Sequence, residues 1–522
     1  MRISTSQYFE TSAANYTKNF SDTAKTNEQI SSGIRIQTAA DDPVGAAKLL
    51  MLQQQSALLT QYSSNMTTAT NALNQQESVL SSIHDAMQRA SELAIQAGNG
   101  GLSDADRTSI AAEIGEIEGS VFGMLNSKDA NGDYLFGGSK SSTPPYVRNA
   151  DGTYAYQGDQ TRLSLQVSDT LKLATSNTGH NVFELAVNNS RTEATLTAPA
   201  VDDGRVSVSD GLLNSVNSYS KSFAAGQPYT VNFTSATQYS IVDADGNDVT
   251  SETASNGVFD REKEGASTIT FRGVDFEISV NLQETDSDPD AAIAGHSFTL
   301  QAKPDSVTTT RSAANTSTAQ VTASNITDND KFLGTFPDGG AVIKFSSATD
   351  YKVYAQPYNA DSKAIAEGVM GSGNTVTAAG VTFTFDGAPN ANDQFSVTSS
   401  THKTQNVLDT LSSLRKSLLV PVTDTATATD LKNAVASAIS NLGSARERID
   451  LARGEIGAAQ NSMQIQQDEN TSLSLANKST QSAIGNTDMS TAAITLTLQQ
   501  TMLQASQLAF AKISQLSLFN KL

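Results

Sequence analysis

The histidines are the first residues to test for chemistry, because imidazole is the most common general base and metal ligand near neutral pH. They stand at His84, His180, His296 and His402. None has a second histidine or a carboxylate at the spacing of a known metal motif. The chain also has no cysteine, which excludes disulfides and thiolate zinc sites. We therefore predict solvated or structural histidines.

Two acidic loops resemble calcium-binding segments, Asp129-Ala-Asn-Gly-Asp133 and Asp243-Ala-Asp-Gly-Asn247. Both place glycine at the fourth rather than the sixth loop position, and their twelfth positions are Lys140 and Ala254 instead of glutamate. Turn formation explains these loops better than calcium does. We predict no metal and no cofactor.

Asp41 and Asp42 form a carboxylate pair that acid–base catalysis could use, but Asp42 directly precedes Pro43, as a helix cap does. No glycine-rich phosphate loop opens a helix, and no Ser-His-Asp set or lysine base has a suitable context. The chain is therefore predicted not to be an enzyme, with no catalytic, cofactor-binding or metal residues.

Composition limits the partners. The chain has 522 residues, too many for one core, and its net charge of -20 argues against nucleic acid or an anionic membrane as a partner. Met1 to Glu10 contains no apolar signal segment, and no unbroken apolar span reaches the ~20 residues of a membrane helix. We expect no ordinary secretory signal.

The elements that organise the chain are two long heptad patterns. Apolar residues recur every three or four positions from Leu431 to Met463, and again from Leu58 to Ala94 with one break at Gln76. Each narrow apolar stripe needs a partner of equal length, so the two are predicted to pair. Everything between them is then an insertion.

Within that insertion, residues 188–400 are rich in Thr, Ser, Val and Gly and show alternating strand patterns. The sequence Phe233-Thr-Ser-Ala-Thr-Gln-Tyr239 returns as Phe345-Ser-Ser-Ala-Thr-Asp-Tyr351. Two related β modules are predicted. We expect the Thr/Ser-rich stretch 307–324 to join them.

The predicted fold class is α+β multidomain: a long α-helical coiled-coil rod built from both chain ends, with inserted all-β modules. The predicted domains are terminal assembly helices at 1–42 and 486–522, a helical rod with a small β element at 43–187 and 401–485, a first β module at 188–307 and a second at 308–400.

Each end of the chain carries one amphipathic helix, whose apolar face predicts an assembly interface. Its members are Phe9, Ala13, Tyr16, Phe20, Ile30, Leu498, Met502, Ala505, Ala509, Ile513, Leu516 and Phe519. Two arrangements fit this pattern. The helices either pair with each other as a private coiled coil, or they order only when packed against other copies.

The segment Ile30-Ser-Ser-Gly-Ile-Arg-Ile-Gln-Thr-Ala-Ala-Asp-Asp-Pro-Val-Gly-Ala-Ala47 resembles the N-terminal signature of the flagellin superfamily. The proline after the paired aspartates is typical of its hook-associated junction proteins. Further segments resemble that group: Met1–Thr5, Gly101–Arg107, Asn131–Gly138, Leu503–Ser506 and Leu516–Phe519. The resemblance covers about 1–185 and 401–522 and leaves the role of the β modules open.

The resemblance implies a structural subunit of the bacterial flagellum, an adaptor between hook and filament. Its terminal helices would form an inner tube, the heptad helices a rod outside it, and the β modules the outer surface. Implied partners are further copies in a ring, a second hook-associated junction protein, flagellin and a flagellar export chaperone. The implied location is extracellular, after export through the flagellar type III channel without a cleaved signal.

Two other functions compete with the adaptor. A flagellin-like filament subunit would polymerise alone into long fibres. A secreted adhesin or enzyme would carry a ligand site in the β modules.

Overall fold

The structure is a computed structural model that describes residues 5–149, 152–262, 266–312, 314–337, 340–356, 358 and 362–519. The side chains of residues 5, 6, 513 and 515–519 lie outside that description. The chain divides into two compact units. The first unit comprises Met1–Asn71, Ser164–Ala174 and Ala458–Leu522, and the second comprises Ala72–Leu163 and Thr175–Gly457.

Long helices dominate both ends of the chain, and short ones lie in its middle. The α-helices are α1 Thr5–Ser32, α2 Pro43–Ala97, α3 Asp104–Leu125, α4 Val216–Ser218, α5 Ala224–Gly226, α6 Pro289–Ile293, α7 Asn329–Thr335, α8 Val407–Leu418, α9 Thr425–Gly485 and α10 Met489–Phe519. Short π-helical turns span His180–Glu184 and Tyr219–Phe223, and a 3₁₀ turn spans Thr250–Glu252. None of the described helices is long and apolar enough to cross a membrane.

The strands lie between α3 and α8. They are β1 Tyr146–Arg148, β2 Tyr154–Tyr156, β3 Ser164–Gln166, β4 Lys172–Ala174, β5 Thr192–Ala198, β6 Val206–Val208, β7 Leu212–Leu213, β8 Tyr229–Ser235, β9 Gln238–Val242, β10 Ser267–Phe271, β11 Val274–Val280, β12 Ser297–Ala302, β13 Ser306–Arg311, β14 Val321–Ile326, β15 Ala341–Phe345, β16 Asp350–Ala355, β17 Ala364–Val369, β18 Thr375–Ala378, β19 Val381–Phe385 and β20 Gln394–Ser400. The predicted α+β fold class is confirmed.

Capping residues set the helix starts. Pro43 opens α2, and Asp42 Oδ1 accepts a hydrogen bond from the Gly45 amide, 2.9 Å away. Ser103 and Asp106 form a reciprocal capping box at α3. These starts agree with the sequence, because side-chain acceptors satisfy amides that have no partner within the helix.

In the first unit α2 and α9 pair antiparallel, and the buried side chains of α9 beyond Met463 include Asn470 and Asn477. Asn470 and Asn477 donate their side-chain amides to the main-chain carbonyls of Leu59 and Leu52, at 2.8 and 3.0 Å. These asparagines continue the heptad beyond the predicted end of the seam. Leu58, predicted to lie in the seam, is 46% exposed, and its neighbour Leu59 is buried instead.

In the second unit the same two helices pair through apolar residues. Met87 and Leu80 of α2 and Leu442 and Ile449 of α9 are fully buried. An ion pair joins Arg453 Nε to Glu77 Oε1 at 2.9 Å beside this seam. The predicted pairing of the two heptad helices is therefore present.

Gln76 fills the predicted break in the α2 pattern. Its side chain is buried, and its Nε2 donates to the carbonyls of Leu135 and Asn177 at 2.8 Å each. Its Oε1 accepts the Asn177 amide. The break is thus a satisfied polar contact that fixes two loops against α2.

The two β modules share one topology. The first has a sheet in the order β5-β12-β8-β9 and a second sheet in the order β10-β11-β6; the corresponding orders in the other module are β13-β20-β15-β16-β17 and β14-β19-β18. Gly273 lies in the turn between β10 and β11, and Gly380 lies in the equivalent turn between β18 and β19 of the second module. Their φ angles are 86° and 82°. The repeat predicted from the sequence is therefore a repeat in structure, with β7, which pairs with β11, as an addition in the first module and β17 as an addition in the second.

The prediction that residues 307–324 only join the modules is wrong. This stretch contains β13 and the start of β14, which pair with β20 and β19. Val307 and Ala319 are buried in the second core. A stretch rich in threonine and serine is common in linkers, but the same residues also fit the exposed face of a β-strand. Composition alone therefore does not separate a linker from an exposed strand.

Candidate assembly interface

The terminal helices α1 and α10 pack antiparallel within the first unit. The Phe510 ring lies 5.2 Å from the Phe9 ring and 6.2 Å from the Tyr16 ring, between centroids. Asn19 Nδ2 donates to Ser506 Oγ at 2.6 Å, and Thr487 Oγ1 donates to the Gln29 carbonyl at 3.1 Å. The two ends of the chain therefore form one helical hairpin, which we call the terminal hairpin.

The α10 face toward α1 is only moderately apolar. Ala492 is buried, whereas Leu503, Ser506 and Phe510 are half-buried. Gln499 also lies on this face, and its Oε1 is buried without a hydrogen-bond partner. Such a contact buries little apolar area per turn, so the hairpin alone is weakly held.

The opposite side of α10 carries larger apolar side chains, and they are exposed. Ile494, Leu498, Met502 and Leu508 expose 72%, 58%, 50% and 66% of their surface. We call these four residues the outer stripe. A row of exposed large apolar residues on one helix is typical of a surface that a partner covers.

The structure distributes the predicted interface residues over both sides of the hairpin. Ala13, Tyr16 and Ile30 are half-buried, while Phe9 and Phe20 are 36% and 56% exposed. On α10, Leu498, Met502, Ala505 and Ala509 are all exposed. The side chains of Ile513, Leu516 and Phe519 lie outside the described residues.

Sequence reasoning missed Phe510, which contacts Phe9 and Tyr16, two of the four aromatic residues of α1. A signal was available, because Leu496, Leu503 and Phe510 follow one another at intervals of seven. The described residues of the predicted stripe, Leu498, Met502, Ala505 and Ala509, are exposed instead.

The flagellin-like signature forms the connection between α1 and α2, and it is joined to the turn between α9 and α10. The Arg35 amide donates to the Gly485 carbonyl at 2.7 Å, and the Thr487 amide donates to the Gly33 carbonyl at 2.9 Å. The Arg35 guanidinium also donates to the Ile484 carbonyl at 2.7 Å. One set of contacts thus fixes both turns that lead into the terminal hairpin. The initial motif Met1–Thr5 falls almost wholly outside the described residues.

Asp41 holds this connection together by charge. Its carboxylate pairs with Lys25 of α1 at 2.5 Å and accepts the amides of Gln37 and Thr38 at 3.1 and 2.9 Å. These hydrogen bonds hold the pKa of Asp41 far below its usual range, and the one from Lys25 has the largest effect. An acid so firmly ionised is unsuited to proton transfer at neutral pH, and Asp42 is occupied as the cap of α2.

The other candidate chemical residues have structural partners. Asp129 Oδ1 accepts the amides of Asn131 and Asp133, and Asp243 Oδ1 accepts those of Asp245 and Asn247. Both loops are therefore Asx turns. Within the described residues no three His, Asp or Glu side chains are grouped as a metal site.

Two of the imidazoles, those of His296 and His402, contact other parts of the chain. His296 is buried, with Nδ1 2.9 Å from the Ile293 carbonyl and Nε2 3.0 Å from Asp203 Oδ1. His402 Nε2 lies 3.1 Å from the Pro304 carbonyl. These contacts connect loops of the polypeptide.

Comparison with known proteins finds a match for the N-terminal region. Residues 3–141 match the bacterial flagellin N-terminal helical region. Flagellar hook-associated protein 3 of Salmonella typhimurium is 34% identical over 189 residues, which are 36% of this chain and 59% of that protein. Its Escherichia coli counterpart is 32% identical over 193 residues, covering 37% and 60%. The chain thus spans about three fifths of the length of these curated relatives.

A solved structure of flagellar hook-associated protein 3 from Legionella pneumophila is also similar. It is 20% identical, covers 82% of this chain and 97% of its own, and has a TM-score of 0.46. The predicted resemblance to the flagellin superfamily, and within it to hook-associated protein 3, is confirmed by the family match and the relatives. The names of the matched region and of these relatives are those of flagellar proteins.

Proposed function

We propose that this chain, which carries the flagellin N-terminal helical region, is a structural adaptor at the junction of hook and filament in the bacterial flagellum. The observation that carries the proposal is the outer stripe of α10, four exposed large apolar residues on a helix weakly paired with α1. Neighbouring copies that cover the outer stripe would bury its apolar surface and stabilise the terminal hairpin.

The proposal extends to partners. Copies of the chain form a ring through their terminal hairpins, with a second hook-associated junction protein on one side and flagellin on the other. An export chaperone covers the terminal segments before assembly, and the chain leaves the cell through the flagellar channel without a cleaved signal. The place at the hook is supported by the relatives' names and the ring by the exposed outer stripe, while the other partners and the export route are implied by the resemblance to the flagellin superfamily.

The domains follow the same proposal. The helices at 1–42 and 486–522 make the assembly contacts, and the helical rod at 43–187 and 401–485 supports them. The β modules at 188–307 and 308–400 have separate cores and contribute no residue to the outer stripe.

The test is to label the chain in swimming cells and to compare two variants. Met502→Glu places a charge in the outer stripe, whereas Gln500→Glu adds the same charge at an exposed polar position of α10. The proposal expects one labelled spot at the base of each filament for the wild type and for Gln500→Glu. It expects no spot and no filament for Met502→Glu, although the purified variant keeps its helical content. Label along the whole filament would instead identify a filament subunit.

A further inference from the structure

Three asparagines of the chain directly precede a glycine: Asn99, Asn131 and Asn256. In such a pair the main-chain nitrogen of the glycine can attack the side-chain amide carbon of the asparagine, because glycine has no Cβ to obstruct the approach. The two groups belong to one dipeptide, so the reaction is intramolecular and fast when their geometry allows it. Asparagine is accordingly among the thermolabile residues of proteins.

The pair at Asn99 lies in the exposed connection between α2 and α3. Asn99, Gly100 and Gly101 are all exposed. No described atom apart from the chain neighbours lies within 4 Å of a Cβ added at Gly100. The Gly100 amide donates to no acceptor within the described part of the chain. The attacking nitrogen is therefore open to solvent and held by no other contact.

A hydrogen bond positions the side chain of Asn99. Its Oδ1 accepts the Gly101 amide at 3.1 Å, which holds the side-chain amide beside the main chain of the following residues. Attack on the side-chain carbon turns Oδ1 into an oxyanion. A donor that already points at this oxygen stabilises the charge as it develops.

The other two pairs are held by contacts that oppose the reaction. At Asn131, the amide of the following glycine donates to the Asp129 carbonyl at 3.1 Å, and Asn131 Nδ2 donates to Asp129 Oδ2 at 3.2 Å. After Asn256, Gly257 is buried, and its carbonyl accepts the Tyr239 amide at 2.8 Å. Both peptides must leave these contacts before the reacting atoms can meet.

We propose that Asn99 is a site of spontaneous deamidation. The Gly100 nitrogen loses its proton to solvent base and bonds to Asn99 Cγ; the Cγ–Nδ2 bond breaks, and Nδ2 takes up a proton and leaves as ammonia. Water then opens the resulting cyclic imide at either of its carbonyls, which gives aspartate or isoaspartate. The connection between α2 and α3 thereby gains a negative charge. The proposal is independent of assembly at the hook.

Peptide mapping by mass spectrometry tests the proposal, because trypsin cleaves after lysine and arginine and so places Asn99 and Asn131 in different peptides. The folded full chain is kept in mildly alkaline buffer, and the conversion of each asparagine is followed with time. We expect Asn99 to react at least about tenfold faster than Asn131. In strong denaturant the two rates should become similar, because the contacts that distinguish the two pairs are lost.

Variants and products locate the chemistry. Gly100→Ala should slow the reaction of Asn99 at least about tenfold, because the added methyl group obstructs the attacking nitrogen. Gly101→Ala is the matched control, since it keeps both the Asn-Gly pair and the amide that donates to Asn99, and its rate should change little. Isoaspartate should appear among the products, because direct hydrolysis of the side-chain amide gives aspartate alone.

Four results would each overturn the proposal. They are equal rates at Asn99 and Asn131 in the folded chain, the same ratio of rates in denaturant as in the folded chain, an unchanged rate in Gly100→Ala, and aspartate as the sole product at Asn99.

Discussion

The Phe510 ring packs against the Phe9 ring with 5.2 Å between centroids, which brings the two ends of the chain together. Both rings belong to the terminal hairpin, and Phe9 remains 36% exposed. Tyr16 adds a second aromatic contact to Phe510. The hairpin therefore depends on a few partly exposed rings.

Phe510→Ala should loosen the hairpin. A buried phenylalanine contributes about 3–5 kcal/mol, and we expect roughly half of that for this half-buried ring. Hydrogen exchange of the α10 amides should quicken about tenfold or more. Leu508→Ala is the control, because Leu508 is 66% exposed and should leave exchange in the isolated chain unchanged. Equal effects of the two variants would contradict the pairing.

Gly45→Ala should destabilise the signature connection. An added Cβ would lie 2.5 Å from Asp42 Oδ2 and 2.7 Å from Ile36 Cδ1, so the helix cap must shift. We expect a loss of about 1–3 kcal/mol in the free energy of unfolding. Gly454→Ala is the matched control, since nothing lies within 4 Å of its added Cβ, and a gain of up to ~1 kcal/mol is expected there. Chemical denaturation measures both, and a stable Gly45→Ala would refute the assigned geometry.

Asn470→Leu should stabilise the pairing of α2 and α9. Asn470 is buried, its Nδ2 donates to the Leu59 carbonyl, and its Oδ1 has no partner. An apolar residue removes that unsatisfied acceptor, with an expected gain of about 1 kcal/mol. Asn461→Leu, at an exposed position of α9, should change the melting temperature little. A lower melting temperature for Asn470→Leu would mean that the hydrogen bond from Asn470 to Leu59 stabilises the fold by more than the unpaired Oδ1 destabilises it.

Glu184 should make stability depend on pH. Burial raises the pKa of Glu184 to about 7, and the nearby Asp409 carboxylate contributes to the rise. Because the folded chain holds this proton more tightly than the unfolded chain, stability should fall as pH rises from about 4.5 to 7 and then level off, by up to ~3 kcal/mol. Glu184→Gln should remove this part of the pH dependence of stability, because glutamine does not titrate. Denaturation of both proteins across that pH range measures the difference, and parallel profiles would exclude Glu184 as the cause.

Much of the helical architecture follows from local rules that act within a few residues. Asp42, Ser103 and Asp488 all cap helices, because side-chain acceptors and free amides meet within three residues. Heptad spacing also predicted the pairing of α2 with α9. These features need no knowledge of the rest of the chain.

The sequence predictions failed where two neighbouring residues, or two stripes of one helix, both matched the expected pattern. Leu58 and Leu59 both fit the seam, and only the rotation of α2 in the folded unit selects Leu59. On α10, the stripe through Phe510 includes polar Gln499 and Ser506, whereas the predicted stripe is apolar at every position. Of the outer stripe, Leu498 and Met502 were predicted as interface residues, whereas Ile494 and Leu508 were not, and all four are exposed in the single chain. That role remains a prediction.

The central claim is that the terminal hairpin is complete only when other copies cover the outer stripe of α10. Amide hydrogen exchange of Met489–Lys512 in the isolated chain and in assembled rings tests it most directly. We expect weak protection in the isolated chain and strong protection after assembly, with Met502→Glu remaining weakly protected. Full protection of this segment in the isolated chain, unchanged by Met502→Glu, would contradict the claim.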